Sequence, residues 1–223
     1  MKTLNKLVYS IAEATSNFNL NDDSPYSMLW IEDQIISQNH TLIRKAKTER
    51  RIDPMLYMTD DNIEVKLFDS TSVIPGMNPS YCKNYSYIDI NPLLTGLKGS
   101  EVSFVANAAY SIIFKRSTIL KVLRGRSEYY SLGKPMYAIL DDKLIFRTSE
   151  LAGLKYVSMS GIFNDPRLVS SWNPEDLFKT PSEKNLEILT IQHIGTALGM
   201  PMDLINDAQR AYQGAAPKEQ SNE

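Results

Sequence analysis

Residues 31–57 read IEDQIISQNHTLIRKAKTERRIDPMLY, and the reading of this stretch decides what kind of fold the chain builds. Ile31, Ile35, Leu42 and Ala46 fall on one helical stripe with Met28 upstream, and Leu29, Ile36 and Ile43 lie beside it. Spacings of three and four place such residues on a single helix face. The stripe turns polar in its middle, at Gln38 and Asn39. Upstream, Ser24 is the expected cap with Pro25 in the first turn, where a missing N–H costs nothing. Downstream, Asp53–Pro54 ends the helix, because proline disfavours helical geometry in the residue before it. The predicted helix runs from Tyr26 to Arg50, roughly 36 Å at 1.5 Å per residue, which is long for a chain of this size.

Working outward, Leu4, Leu7, Val8, Ile11 and Ala12 predict an amphipathic helix over 3–14, broken by NFNLNDDSP. After residue 57 the periodicity changes. Ile63, Val65 and Leu67 alternate with Glu64 and Lys66, as in a strand with one wet face. YSYIDI (85–90), YSIIFK (110–115) and KYVSMSGIF (155–163) repeat the strand signal, and PMYAILDDKLIFR (135–147) reads as a hairpin. PGMNPS (75–80) and NPLLTGLKGS (91–100) read as turn-rich connections, and VSFVANAAYS (102–111) fits helix or strand equally. Near the C-terminus, Thr180, Pro181, Ser182 and Glu183 form a capping box. Leu186, Leu189, Ile194, Ala197 and Leu198 supply an apolar face that Gly199 and Pro201 stop, and a last short helix is expected over Met202–Tyr212.

The order of elements predicts an α+β protein with N-terminal long helices, a central antiparallel β region and C-terminal helices. The segments are an N-terminal helical hairpin (1–54), a β-rich region (55–170), C-terminal helices (171–213) and a flexible tail (214–223), all in one integrated domain. The tail, GAAPKEQSNE, has almost nothing to bury. A formal charge of −2 gives no general attraction to polyanions, so a nucleic-acid role would have to be local. One cysteine, Cys82, excludes an intrachain disulfide and a multi-cysteine zinc site, and fits a reducing compartment. Asn5, Lys6 and Glu13 interrupt the N-terminal apolar run, which is expected to be mature sequence with no signal peptide and no membrane contact.

A search for chemistry yields no catalytic, cofactor-binding or metal residues. His40 and His193 stand alone, without the i, i+4 partner of a zinc helix. No G-x-S-x-G elbow is present, Cys82 lacks a catalytic neighbourhood, and LKGS (97–100) and LRGRS (123–127) lack the second glycine and the lysine of a phosphate loop. The acid pairs Asp22–Asp23, Asp60–Asp61 and Asp141–Asp142 all fall in predicted turns, where aspartate bonds its own backbone. Basic residues do cluster. Arg44, Lys45, Lys47, Arg50 and Arg51 close the long helix, where the helix dipole also favours cations, and Arg124 and Arg126 form a second, smaller patch. Tyrosine outnumbers tryptophan 12 to 2, and Tyr81, Tyr85, Tyr87, Tyr129 and Tyr130 lie in or beside predicted turns; such rings suit interfaces as well as cores.

Two stretches, DDSPYSMLWIEDQIISQNHTLIRKAKTERRIDPMLY (22–57) and SMSGIFNDPRLVSSWNPEDLFKTPSE (158–183), cover about a quarter of the chain. In style they resemble the head-to-tail connector, or adaptor ring, proteins of short-tailed bacteriophages, most closely those of crAss-like phages. The resemblance implies a structural virion protein, not an enzyme. It implies a homo-oligomeric ring, commonly a dodecamer, at the head–tail junction between the portal protein and neighbouring tail ring proteins. Genomic DNA would pass through the lumen without specific binding, and assembly would take place in the host cytoplasm. The resemblance carries no individual binding residue onto this sequence. In the ring that the resemblance implies, Gln38 and Asn39 bond a neighbouring subunit; on physical grounds the interface candidates are Arg44, Lys47, Arg50 and Arg51 on the long helix and Leu204, Ile205 and Tyr212 in the last one. A tail hub or cargo protein, a nucleic-acid-binding module using the basic helix end, and an enzyme assembled from dispersed residues are the alternatives.

Overall fold

A computed structural model describes residues 1–16, 27–49, 52–68, 85–95, 97, 101–124, 135–140, 142–147, 154–199 and 205. The chain divides into two units: Met1–Leu56 with Asn173–Glu223, and Tyr57–Trp172. The segments read as 1–54 and 171–213 therefore fold together, with the β segment running between them.

In the first unit, α1 (Leu4–Ser16) and α2 (Met28–Thr48) pack with α4 (Glu183–Ala197). Leu4, Leu7, Val8 and Ile11 are the buried stripe of α1, and Ile31, Ile35, Ile36, Leu42, Ile43 and Ala46 that of α2. Ser27, in extended geometry, caps α2 by accepting a hydrogen bond from Trp30 N; the expected cap, Ser24, lies outside the described residues. Starting at Met28, the helix leaves Met28 and Leu29 49% and 67% exposed, so the stripe begins at Ile31. The α4 cap is Ser182, with Pro181 before it and Glu183 as the first helical residue, and Gly199 ends the helix at φ +66°. The face of α4 is rotated from the expected one: Leu186, Glu187, Thr190, Ile191, Ile194 and Gly195 are buried, and Ala197 is exposed. The last expected helix is described only at Ile205, which is helical.

The second unit contains eight strands: β1 (Met58–Glu64), β2 (Lys66–Leu67), β3 (Tyr85–Asp89), β4 (Val102–Asn107), β5 (Ile113–Arg116), β6 (Met136–Leu140), β7 (Lys143–Arg147) and β8 (Tyr156–Gly161). They form one sheet in the order β1-β8-β4-β5-β6-β7-β3-β2. The sheet nearly closes on itself. β1 and β2 are separated by Val65 alone, yet β1 pairs with β8 at one end of the order and β2 with β3 at the other, so a single bent strand joins the two edges. Closure of this kind leaves few unpaired backbone groups, which an open edge would present to other chains.

This architecture overturns the expected fold class. The protein is organised around an eight-stranded mixed sheet, nearly a barrel, with only three helices of more than two turns among the described residues; it is not long N-terminal helices, an antiparallel region and C-terminal helices in succession. β5 and β6 run parallel, with Lys115 opposite Met136 and Arg116 opposite Tyr137. A parallel pair needs a crossover, and the 117–135 connection, which contains the short helix α3 (Ile119–Arg124), supplies it. Periodicity reports which way side chains alternate along one strand. It does not report the direction of the neighbour.

Two apolar layers explain the strands' composition. Ile88, Val105, Phe114, Tyr137, Leu144 and Phe146 belong to the barrel interior, where the Phe114 and Phe146 rings meet edge to face at 5.2 Å. A second cluster, Phe68, Tyr85, Val122, Met136, Ala138 and Ile145, lies on the other face of β3, β7 and β6, with α3 contributing Val122. These strands are therefore apolar on both faces. Tyr85 belongs to this core and not to a turn. The alternation expected across 63–67 also breaks: Leu67 is 63% exposed, and Phe68 is buried in its place.

Candidate functional site

Of the predicted interface residues, Arg44 and Lys47 lie in the last turns of α2, Arg44 exposed and Lys47 half-buried, with Lys45 exposed between them. Arg50, Arg51, Leu204 and Tyr212 lie outside the described residues, as do Asp22, Asp23, Tyr81, Cys82, Arg126, Tyr129, Tyr130, Asp141 and the 214–223 tail. Ile205 is 1% exposed, and its side chain closes over Gly195, where an added Cβ would stand 2.6 Å from Ile205 Cγ1. Folded this way, Ile205 offers no surface to a partner. Asn39 also points inward: it is 6% exposed, and its Nδ2 donates to Lys179 O at 3.0 Å, in place of the expected bond to a neighbouring subunit.

Both histidines are in the helical unit, His40 half-buried and His193 exposed. Among the described residues, no three His, Cys, Asp or Glu side chains are grouped so that they could hold a metal ion. No described helix is long and apolar enough to cross a membrane.

Asp60 and Asp61 are not in a turn. They sit in β1 at a bulge, where the register against β8 shifts between Asp60 and Ile63 and Asn62 takes φ 58°. Asp60 is 8% exposed and accepts from Ser170 N (3.2 Å) and Asn91 Nδ2 (3.0 Å), while the same Asn91 amide donates to Leu168 O at 2.8 Å. Asp61 N donates to Ser170 Oγ at 2.7 Å, and Asp61 Oδ1 accepts from the Tyr110 hydroxyl at 2.5 Å. That bond, then burial, raises the Tyr110 pKa above its ordinary value. A bulge re-aims side chains, and here it turns two consecutive aspartates onto three connections, those that carry Asn91, Tyr110 and Ser170.

The Tyr110 bond anchors one end of the β4–β5 hairpin. Ala108, Ala109, Tyr110, Ser111, Ile112 and Ile113 are all exposed, and 106–114 (ANAAYSIIF) holds no charged residue. The loop is nevertheless tightly bonded. Asn107 Oδ1 accepts from Ile112 N (2.8 Å), Asn107 Nδ2 donates to Ser111 Oγ (3.0 Å), and Tyr110 N donates to Asn107 O (2.8 Å) with Tyr110 at φ 54°. The other end of the same hairpin opens onto a cavity of about 460 Å³. Pro92, Leu93, Leu94 and Ile139 give it apolar walls, with Thr95 beside them. Among the described residues that line it, Glu101, Arg116 and Asp142 are charged, and Arg116 Nη1 pairs with Glu101 Oε2 at 3.1 Å while Asp142 meets Lys143 at 3.3 Å. Nearby, burial pushes the Tyr137 hydroxyl up to about 12, with the Arg116 charge opposing the shift and the Glu101 charge adding to it.

Sequence reasoning missed the hairpin tip and the cavity. The nine uncharged residues at 106–114 carry the signal for the tip, which an assignment left between helix and strand leaves unused. The cavity walls come from segments far apart in the chain, and no local pattern announces them. No protein-family model matches the chain, and no curated protein matches it in sequence.

Proposed function

We propose that this chain is a structural virion protein, a subunit of a head-to-tail connector ring around the DNA channel of a bacteriophage, joined to the portal protein and neighbouring tail rings. The observation that carries the reading is the set of large apolar side chains left in solvent on both units: Tyr9, Leu29, Met55 and Leu177 on the helical unit, and Tyr110, Ile113 and Tyr156 on the barrel. Scattered exposed apolar residues are ordinary, but an uncharged tip on a hydrogen-bonded backbone is the kind of surface that assembly covers. The resemblance of 22–57 and 158–183 to connector proteins adds to this support, and so does the basic end of α2, which suits an acidic face of an adjacent copy.

The test is charge reversal at that end. Arg44→Glu and Lys47→Glu, combined with Arg50→Glu and Arg51→Glu, leave the monomer folded by circular dichroism and impair assembly into oligomers or particles. Normal particles from the fourfold variant would remove the helix end from the interface. The exposed Arg44 and Lys45 also favour a second reading, a nucleic-acid contact. Steeply salt-dependent DNA binding by the monomer marks that reading, because neutralising phosphates releases counterions.

A further inference from the structure

We infer that the β4–β5 hairpin tip of one copy inserts into the cavity at the opposite end of the same hairpin in the next copy, so that identical subunits join head to tail. The inference rests on the ring reading and names the surface that would build it.

Both elements belong to the same unit, and the topology places them at opposite ends. β4 begins beside Glu101 and ends at Asn107, and β5 returns from Ile113 to Arg116. Glu101 and Arg116, at the open end, belong to the cavity, while Tyr110 and Ile112 occupy the closed end. The remaining walls agree with this placement. β6 runs parallel to β5 and leads to Ile139 and Asp142, and β3, antiparallel to β7, leads to Pro92, Leu93 and Leu94. Six residues of strand separate tip from cavity by roughly 20 Å. A copy cannot fill its own cavity with its own tip.

The chemistry matches on both sides. The tip offers Tyr110, Ile112 and Ile113, exposed by 47%, 38% and 60%; none of residues 106–114 is charged, and the Asp61 carboxylate beside them is already engaged by the Tyr110 hydroxyl. Its backbone is fixed by the Asn107 side chain and by the Tyr110–Asp61 bond, so docking orders little that is free. The cavity presents apolar walls, and the charged residues among its described lining have partners of their own, Arg116 with Glu101 and Asp142 with Lys143. Such a site favours an uncharged apolar insert over an ion. Its volume of about 460 Å³ is within the range of sites that bury a compact apolar group. Tip and cavity are different surfaces, so the contact is heterologous; repeated around an axis it closes a ring, whereas a two-fold contact would stop at a dimer.

The test mixes two variants of the full chain and follows their mass by sedimentation velocity. Ile112→Asp with Ile113→Asp removes the tip, and Thr95→Trp fills the cavity; all three positions are exposed, and unchanged melting curves verify folding. Each variant alone associates at least about thirtyfold more weakly than wild type, as for loss of an interface hot spot. Mixed one to one, they form a heterodimer and go no further, since only one intact tip and one intact cavity can meet. Wild-type-like assembly by either variant, or a mixture that stays monomeric, overturns the inference and leaves the ring reading standing. Wild type that remains monomeric at every concentration overturns both. A photocrosslinker placed at Tyr110 in otherwise wild-type chain gives a second measurement: crosslinks to the peptide containing residues 92–95 support the insertion, and crosslinks elsewhere contradict it.

Discussion

Glu187 in the helical unit and Asp60 in the barrel are both buried carboxylates, 3% and 8% exposed, and they are satisfied by different kinds of partner. Glu187 accepts from Lys2 Nζ at 2.7 Å, a cation from the opposite end of the sequence. Asp60 accepts from neutral donors, Ser170 N and Asn91 Nδ2. The surroundings of Lys2 repeat the contrast: its N–H donates to Glu183 Oε2, its carbonyl accepts from Phe178 N, and Thr3 bridges Leu177. The helical unit is thus tied together where distant parts of the chain meet. The barrel is tied by its closing strand and by a bulge that fastens the connections holding Asn91, Tyr110 and Ser170 to it.

Three perturbations sharpen this comparison, and the two tryptophans report on the units separately. Trp30 is in α2 of the helical unit, and Trp172 packs against the barrel core, so Trp30→Phe leaves the barrel's reporter and Trp172→Phe the helical unit's. The largest effect is expected from Asp60→Ala. It removes the two hydrogen bonds that Ser170 N and Asn91 Nδ2 make to a buried carboxylate and lowers barrel stability by about 3 kcal/mol, at about 1.5–3 kcal/mol for each bond to a charged group. Denaturant unfolding followed by Trp172 measures it, and an unchanged midpoint would show that the bulge does not hold the loops.

Alkaline titration comes next. Tyr137 has a folded pKa of about 12, above its ordinary value of 10.0, because burial penalises the phenolate. Below pH 10 the hydroxyl is protonated in both states and its contribution is complete. As pH rises from 10 to 12 the unfolded state ionises first, and stability falls by about 2–3 kcal/mol at 1.36 kcal/mol per pH unit. Tyr137→Phe removes that part of the alkaline loss from the Trp172 signal; an identical pH profile would mean that Tyr137 does not resist ionisation. The smallest effect is that of Lys2→Met, about 2 kcal/mol in the Trp30 signal. It leaves Glu187 buried without its cation, and the one-third exposure of the Lys2 side chain holds the loss below that of a fully buried pair. A shift in the Trp172 signal of equal size would contradict the separate ties of the two units.

The two units also differ in how legible they are in sequence. Helical periodicity located α1, α2 and α4 because spacing of three and four is a local property, although the boundaries slipped: α2 is capped by Ser27, three residues after the expected Ser24. Burial within a helix depends on what faces it. Asn39 therefore proves to be an interior residue bonded to Lys179 O, and Ile205 a lid over Gly195. In the barrel, the β6–β7 hairpin was legible from PMYAILDDKLIFR, whose two apolar runs adjoin in the chain. The parallel β5–β6 pair, the closing strand through Val65 and the aspartates at the bulge all depend on partners remote in sequence. The hairpin tip and the cavity were missed for the same reason, since each takes its meaning from the end of the hairpin at which it lies.

The most direct test of the account is electron-microscopy class averaging of the purified wild-type chain at high concentration. The account predicts closed rings of rotational symmetry greater than two, built from repeated head-to-tail contacts. A population of isolated protomers, or of two-fold dimers that grow no further, would contradict it.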